Sequence, residues 1–366
     1  MITRIIFILF FSMNVTLMYA QSTKIPLYVG SYTSENGSKG IYEFEFDTQT
    51  ADATLVRETS TPSPSFIARN KNILLAANEL TDGNQSVSSF EITKDGLKFI
   101  NKLGTDGSAP CHVVLGKDGK FAVVSNYLGG ALNLYALSEK GEILSKDDTK
   151  LYNGSSVNKN RQEASHVHSA FFGPDNHLYV SDLGADKIYI LDIKKNEAGR
   201  YKFQEVGTID VKKGGGPRHI AFHPKGKYLY SLMEMTGDIE VFEKKNNTWE
   251  SVQLTSMRDA GFTGESGAAD LKLSADNKFL YATDRIDANT ITVFSVGKNG
   301  KLKQVQVSSV MGKGPRNFNF SPDERFVLVA NQLTDEIVVF NRDKKSGKLT
   351  DSGKRIKASK PVCVLF

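Results

Sequence analysis

Short apolar runs bounded by turn residues recur along this chain at nearly even spacing. Leu27-Tyr28-Val29-Gly30-Ser31-Tyr32 has counterparts at 74–79, 122–127, 178–183, 229–234, 280–285 and 327–332. Their starts lie 47, 48, 56, 51, 51 and 47 residues apart, which makes seven units. Each unit has the same internal order. In the fifth, an apolar run at 217–222 meets the turn Pro224-Lys225-Gly226, then a second run at 228–235. Thr236-Gly237-Asp238 turns the chain again into Ile239-Glu240-Val241-Phe242, and a less regular fourth segment follows. Short alternating runs punctuated by Gly, Pro, Asp and Asn read as strands in hairpins. No stretch sustains an apolar period of 3.6, so almost no helix is expected.

Units of about fifty residues built from four strands have the length of propeller blades. The first unit lacks the Pro-x-x-apolar strand that opens every later one. Pro361-Val362-Cys363-Val364-Leu365-Phe366 aligns with that strand and has no unit of its own. The expected fold is therefore an all-β, seven-bladed β-propeller of four-stranded antiparallel blades, with the first blade completed by the C-terminal strand. Closing the ring removes the exposed edges that an open stack would carry.

The first twenty residues depart from this pattern. Arg4 precedes an apolar run from Ile5 to Phe11, and the stretch ends Leu17-Met18-Tyr19-Ala20 before polar Gln21. This is the layout of a secretory signal peptide cut after Ala20. Residues 21–366 then form a single domain, periplasmic or secreted, with no membrane association after cleavage. Ser12, Asn14 and Thr16 interrupt a stretch already marginal for spanning about 30 Å of hydrocarbon.

The formal net charge of +5 is mild and interspersed. It forms no basic stripe, and no nucleic-acid partner is expected. Cys111 and Cys363 fall a whole blade apart, too far for a disulfide, and are expected as free thiols. No metal and no cofactor are expected. His166 and His168 could share a metal at i, i+2, but no carboxylate stands at a third-ligand spacing.

In a propeller, the start of the innermost strand and the end of the second lie at the same mouth of the central channel. The equivalent first-strand positions are Ser65, Cys111, His168, Arg218, Ala269, Arg316 and Val362. The second-strand ends are Tyr32, Glu79, Tyr127, Leu183, Glu234, Arg285 and Gln332. A purely structural repeat would keep these alike, yet they diverge. Three guanidiniums, a carboxylate and an imidazole on one lip would suit an anionic substrate. Each has a plainer alternative: His168 could satisfy a neighbouring backbone group, and Glu234 with Arg285 could be a structural ion pair. The long connections 145–164 and 255–268 reach the same mouth.

Pro217-Arg218-His219-Ile220-Ala221-Phe222-His223-Pro224, Glu234, Asp284-Arg285, and Gly314-Pro315-Arg316-Asn317-Phe318 with Ala330-Asn331-Gln332 resemble the lactonase family of seven-bladed propellers. That family includes 6-phosphogluconolactonases and is similar to the fungal carboxy-muconate cyclase. The resemblance spans residues 26–366. It implies lactone hydrolysis, with His168, Arg218, Glu234 and Arg285 as the catalytic set. Arg316, Gln332, Glu79 and Asn126 are candidates for substrate contact. A small anionic sugar lactone is the expected partner, and the protein is expected to be a monomer. The alternatives are a non-catalytic binding propeller and a muconate-type lactonising cyclase.

Overall fold

The computed structural model describes residues 23–366, and none of them is helical. The expected signal peptide over residues 1–20 lies outside the described residues. Twenty-eight strands form seven four-stranded antiparallel sheets. Six are built from consecutive strands, opening with Pro64–Asn70, Ser108–Leu115, Val167–Phe172, Pro217–Phe222, Ser266–Leu273 and Pro315–Phe320. The remaining blade, the first, runs Pro361–Leu365, Lys24–Ser31, Gly40–Asp47, Ala53–Ser60. Val29 pairs with Val364 and Gly30 with Cys363, so the two ends of the described chain share one ladder.

The alternation seen in the sequence sets how blades pack, because successive side chains on a strand point to opposite faces. Leu27 and Val29 pack toward the seventh blade with Phe326, Leu328 and Val364. Tyr28 packs the other way, toward the second blade, with Ile67, Leu74 and Cys363. Buried apolar clusters fill all seven gaps between neighbouring blades, as a closed ring requires.

The recurrent Leu-Tyr pair gains a role here. Tyr230 Oη donates to Gly300 O (3.1 Å) and Tyr281 Oη to Gly347 O (2.6 Å), each tying a blade to a hairpin turn of the next. Both glycines have φ near +70° (72° and 76°), a region that favours glycine at such tight turns. Burial of these tyrosines would otherwise strand their hydroxyls.

Candidate active site

In every blade the ladder between the two innermost strands slips at the same level. The register skips Val362, Ser65, Cys111, His168 and Arg316 in five blades. In the fifth and sixth it skips two residues each, Arg218-His219 and Ala269-Asp270. These are β-bulges, which leave a residue unpaired and re-aim its side chain. The positions singled out in the sequence as first-strand starts are thus the bulge residues, and three of them, Cys111, His168 and Arg316, face the channel mouth.

A recess of about 380 Å³ opens there. Its charged lining is Glu79, Arg161, Glu234, Arg285 and Arg316, with His168, Tyr127, Cys111 and Ile286 between them. A larger recess of about 480 Å³ lies at the opposite strand ends, around Asn70, Asp118 and Lys120, far from this constellation.

Glu234 is the hub. It is buried, and its Oε2 accepts from Arg218 Nε at 2.8 Å. Arg285 Nη2 stands 3.3 Å and His168 Nε2 3.9 Å from the same oxygen. Its Oε1 accepts from Arg161 Nη2 at 2.7 Å, and the same guanidinium nitrogen donates to Tyr127 Oη at 3.1 Å. Burial alone would push the Glu234 carboxyl up, but Arg285, Arg218 and Arg161 outweigh it and bring it down to about 2. Glu234 is thus ionised and a weak base, whereas an orienting role suits it well.

His168 is neutral. Burial, followed by Arg218, His219, Arg316 and Arg285, holds its imidazole well below the usual 6.5. Its Nδ1 has no hydrogen-bond partner among the described residues, and 3.9 Å from Nε2 to Glu234 is too long for a direct bond. The Cys111 thiol donates to His168 O at 3.2 Å. Burial pushes that thiol far up, so it stays protonated and is no nucleophile.

Across the mouth, Arg316 Nη2 lies 3.6 Å from Glu79 Oε2 and its guanidinium sits 5.3 Å above the Tyr32 ring. Tyr32 Oη donates to the same Glu79 oxygen at 2.8 Å. Arg285 is oriented from behind by Gly267 O, which accepts from its Nε at 2.9 Å.

Several expectations need correction. Asn126 does not reach the recess. Its Nδ2 donates to Asn133 Oδ1 (2.9 Å) and Ala131 O (3.2 Å), which keeps it buried inside its own blade. Asn78, Asp182, Asp284 and Asn331 occupy the same repeat position and bind local backbone or side-chain groups in the same way. Gln332 is absent from the recess lining, and Arg218 is also absent, lying beneath Glu234 rather than beside the cavity. The connection expected over 145–164 is shorter, because a strand continues to Leu151. The His166 ring stacks on Tyr127, and its nitrogens meet Tyr127 O and Glu163.

Arg161 was not foreseen as a residue, though its loop was. It projects from the connection entering the fourth blade, the unit with the widest spacing in the sequence. Next to it, Gln162 is wholly buried and bonds Leu183 O (2.9 Å) and Asn158 N (3.1 Å), so the loop is built around an internal anchor.

A profile described as lactonase, seven-bladed β-propeller, matches residues 26–366. The chain belongs to that family. As a member of this lactonase family it is a lactonase-type hydrolase. It is 34% identical to a 6-phosphogluconolactonase of Bacillus subtilis, over 94% of this chain and 99% of that protein. A 6-phosphogluconolactonase of Formosa agariphila is 33% identical over 88% and 94% of the two chains. The crystal structure of a periplasmic gluconolactonase from Pseudomonas aeruginosa superposes with a TM-score of 0.88 at 32% identity, covering 93% and 98%.

Proposed function

We propose that the protein hydrolyses an anionic sugar lactone at this mouth, and that it does so after export to the periplasm or beyond. One observation carries the reading: neutral His168 and the guanidiniums of Arg285 and Arg316 border one recess around a fixed, ionised Glu234. Ester hydrolysis needs a base for water and a cation where the oxyanion develops. His168 takes a proton from the attacking water as its oxygen adds to the lactone carbonyl. Arg285, with Arg316 opposite, bears the charge that forms on the carbonyl oxygen. The ring C–O bond then breaks, and the leaving alkoxide recovers the proton from the imidazolium. Glu234 stabilises that imidazolium across 3.9 Å.

Arg218 acts through Glu234 rather than on substrate. Arg161, the outermost guanidinium, has a side chain 42% exposed and is suited to a phosphate or carboxylate remote from the lactone carbonyl. The relatives' names, 6-phosphogluconolactonase and gluconolactonase, agree with a sugar lactone of this kind.

The test is hydrolysis by the purified protein of glucono-δ-lactone, its 6-phosphate and a uronic lactone, each against the spontaneous rate. Catalysed turnover of an anionic member is expected. Ligand-induced stabilisation with no turnover would favour a binding propeller, and turnover only of a muconate-type diacid would favour a cyclase.

A further inference from the structure

Only in the fifth and sixth blades does the break in pairing extend to a second residue, and these second residues, His219 and Asp270, face each other below the recess. Neither lines the recess, and nothing in the proposed chemistry uses them. We propose that the His219–Asp270 pair positions Arg218 against Glu234, by fixing which imidazole nitrogen of His219 bears the proton. The inference rests on the lactonase reading for its kinetic consequence only.

Asp270 is surrounded by donors. Its Oδ1 accepts from Leu271 N–H at 2.9 Å and lies 2.9 Å from His219 Nδ1. Its Oδ2 accepts from Asn317 Nδ2 (2.7 Å) and Phe318 N–H (3.2 Å), with Lys272 Nζ at 3.4 Å. Burial opposes its charge, but Lys272, His219 and the backbone donor reverse that and hold the carboxyl well below its usual range. A carboxylate only accepts, so Nδ1 of His219 must donate. Burial and then Arg218 lower His219 to about 4, so the ring is neutral and its Nε2 carries a lone pair.

That lone pair faces Arg218 Nη1 at 3.3 Å. Arg218 Nη1 also donates to Ala269 O, and its Nε donates to Glu234 at 2.8 Å. Three acceptors therefore set the guanidinium plane. In the opposite tautomer an N–H of His219 would confront an N–H of Arg218, and one acceptor would be lost. The ring has little freedom to escape, since it packs against His168 (5.6 Å between centroids), Phe171 (5.5 Å) and His112 (5.7 Å). Partners of this kind, one layer behind the reacting groups, keep the site's geometry within tolerance.

The experiment pairs a tautomer readout with kinetics on 6-phosphogluconolactone. Long-range ¹H–¹⁵N correlation of the wild-type protein should show His219 protonated at Nδ1 and unprotonated at Nε2. In Asp270→Asn the amide oxygen stays with Asn317, Phe318 and Lys272, so the NH₂ turns to His219 and the tautomer swaps. There kcat should fall about 10- to 100-fold with KM within about twofold, as for lost orienting partners. His219→Gln, which keeps an acceptor for Arg218 and a donor for Asp270, should stay within about fivefold of wild type, whereas His219→Leu should lose activity as Asp270→Asn does. A wild-type His219 protonated at Nε2 would overturn the inference, as would full kcat in a folded Asp270→Asn with a swapped tautomer. Absent turnover by wild type would sink the lactonase reading instead, and the tautomer result alone would then judge this one.

Discussion

Arg285 approaches Glu234 with Nη2 3.3 Å from Oε2, while its Nε is held by Gly267 O at 2.9 Å. The carboxylate and the carbonyl aim the guanidinium into the recess before any substrate arrives. Pre-aimed donors contribute most to oxyanion stabilisation because they need no reorganisation during the reaction. Arg285→Ala should therefore lower kcat about 10²- to 10³-fold. Retained turnover in a folded variant would remove Arg285 from the mechanism.

The pH profile follows from His168. The active base is the neutral imidazole, and its free-enzyme pKa lies well below 6.5 because burial and the arginines disfavour the charged form. Lowering pH from 8 through 6.5 should leave kcat/KM nearly level, with the acid limb below that value. An ordinary imidazole would already be about half protonated at 6.5. An acid limb centred at or above 6.5 would exclude His168 as the base.

Arg161 separates substrates by charge. Arg161→Ala should reduce kcat/KM for 6-phosphogluconolactone about tenfold or more relative to unphosphorylated glucono-δ-lactone, since a charge-assisted contact is lost for only one of them. Equal losses on both would assign Arg161 to Glu234 orientation alone.

Deleting residues 361–366 should lower the melting temperature markedly or cause aggregation. It removes the inner strand of the first blade, and Cys363 and Val364 from two inter-blade cores. The Lys24–Ser31 edge would be left unpaired. An unchanged melting temperature would contradict ring closure.

Both cysteines are free and buried. Unfolded protein should take up two alkyl groups whether or not reductant is present, as mass spectrometry would show.

The architecture was legible because a period of about fifty residues, a strand-turn-strand grammar and one unassigned terminal strand admit few arrangements. Repeat alignment also points to His168, Glu234, Arg285, Arg316 and Glu79, which all border the recess, because divergence inside a repeat is visible without coordinates. Asn126 shows the limit of that method. It lies one residue before Tyr127, and one step along a strand turns a side chain to the other face. Arg218 is expected at the lip as a substrate-holding cation, but its guanidinium turns to Glu234 and does not line the recess. Arg161 has no counterpart in other units, and its only advance sign was the 56-residue spacing that produces its loop. Ile286 also escaped notice. It lines the recess at φ +61°, a left-handed value rarely taken by a β-branched residue, directly after Arg285.

The ladder between Lys24–Ser31 and Pro361–Leu365 also has a kinetic consequence. During synthesis the intermediate blades can assemble in turn, each against the one before it. The seam must wait for the strand Pro361–Leu365, the most sequence-distant pairing among the described residues. Until then the first blade presents a bare strand edge to every other nascent chain nearby. The seam is thus the last step to maturity and the point most exposed to mispairing between copies.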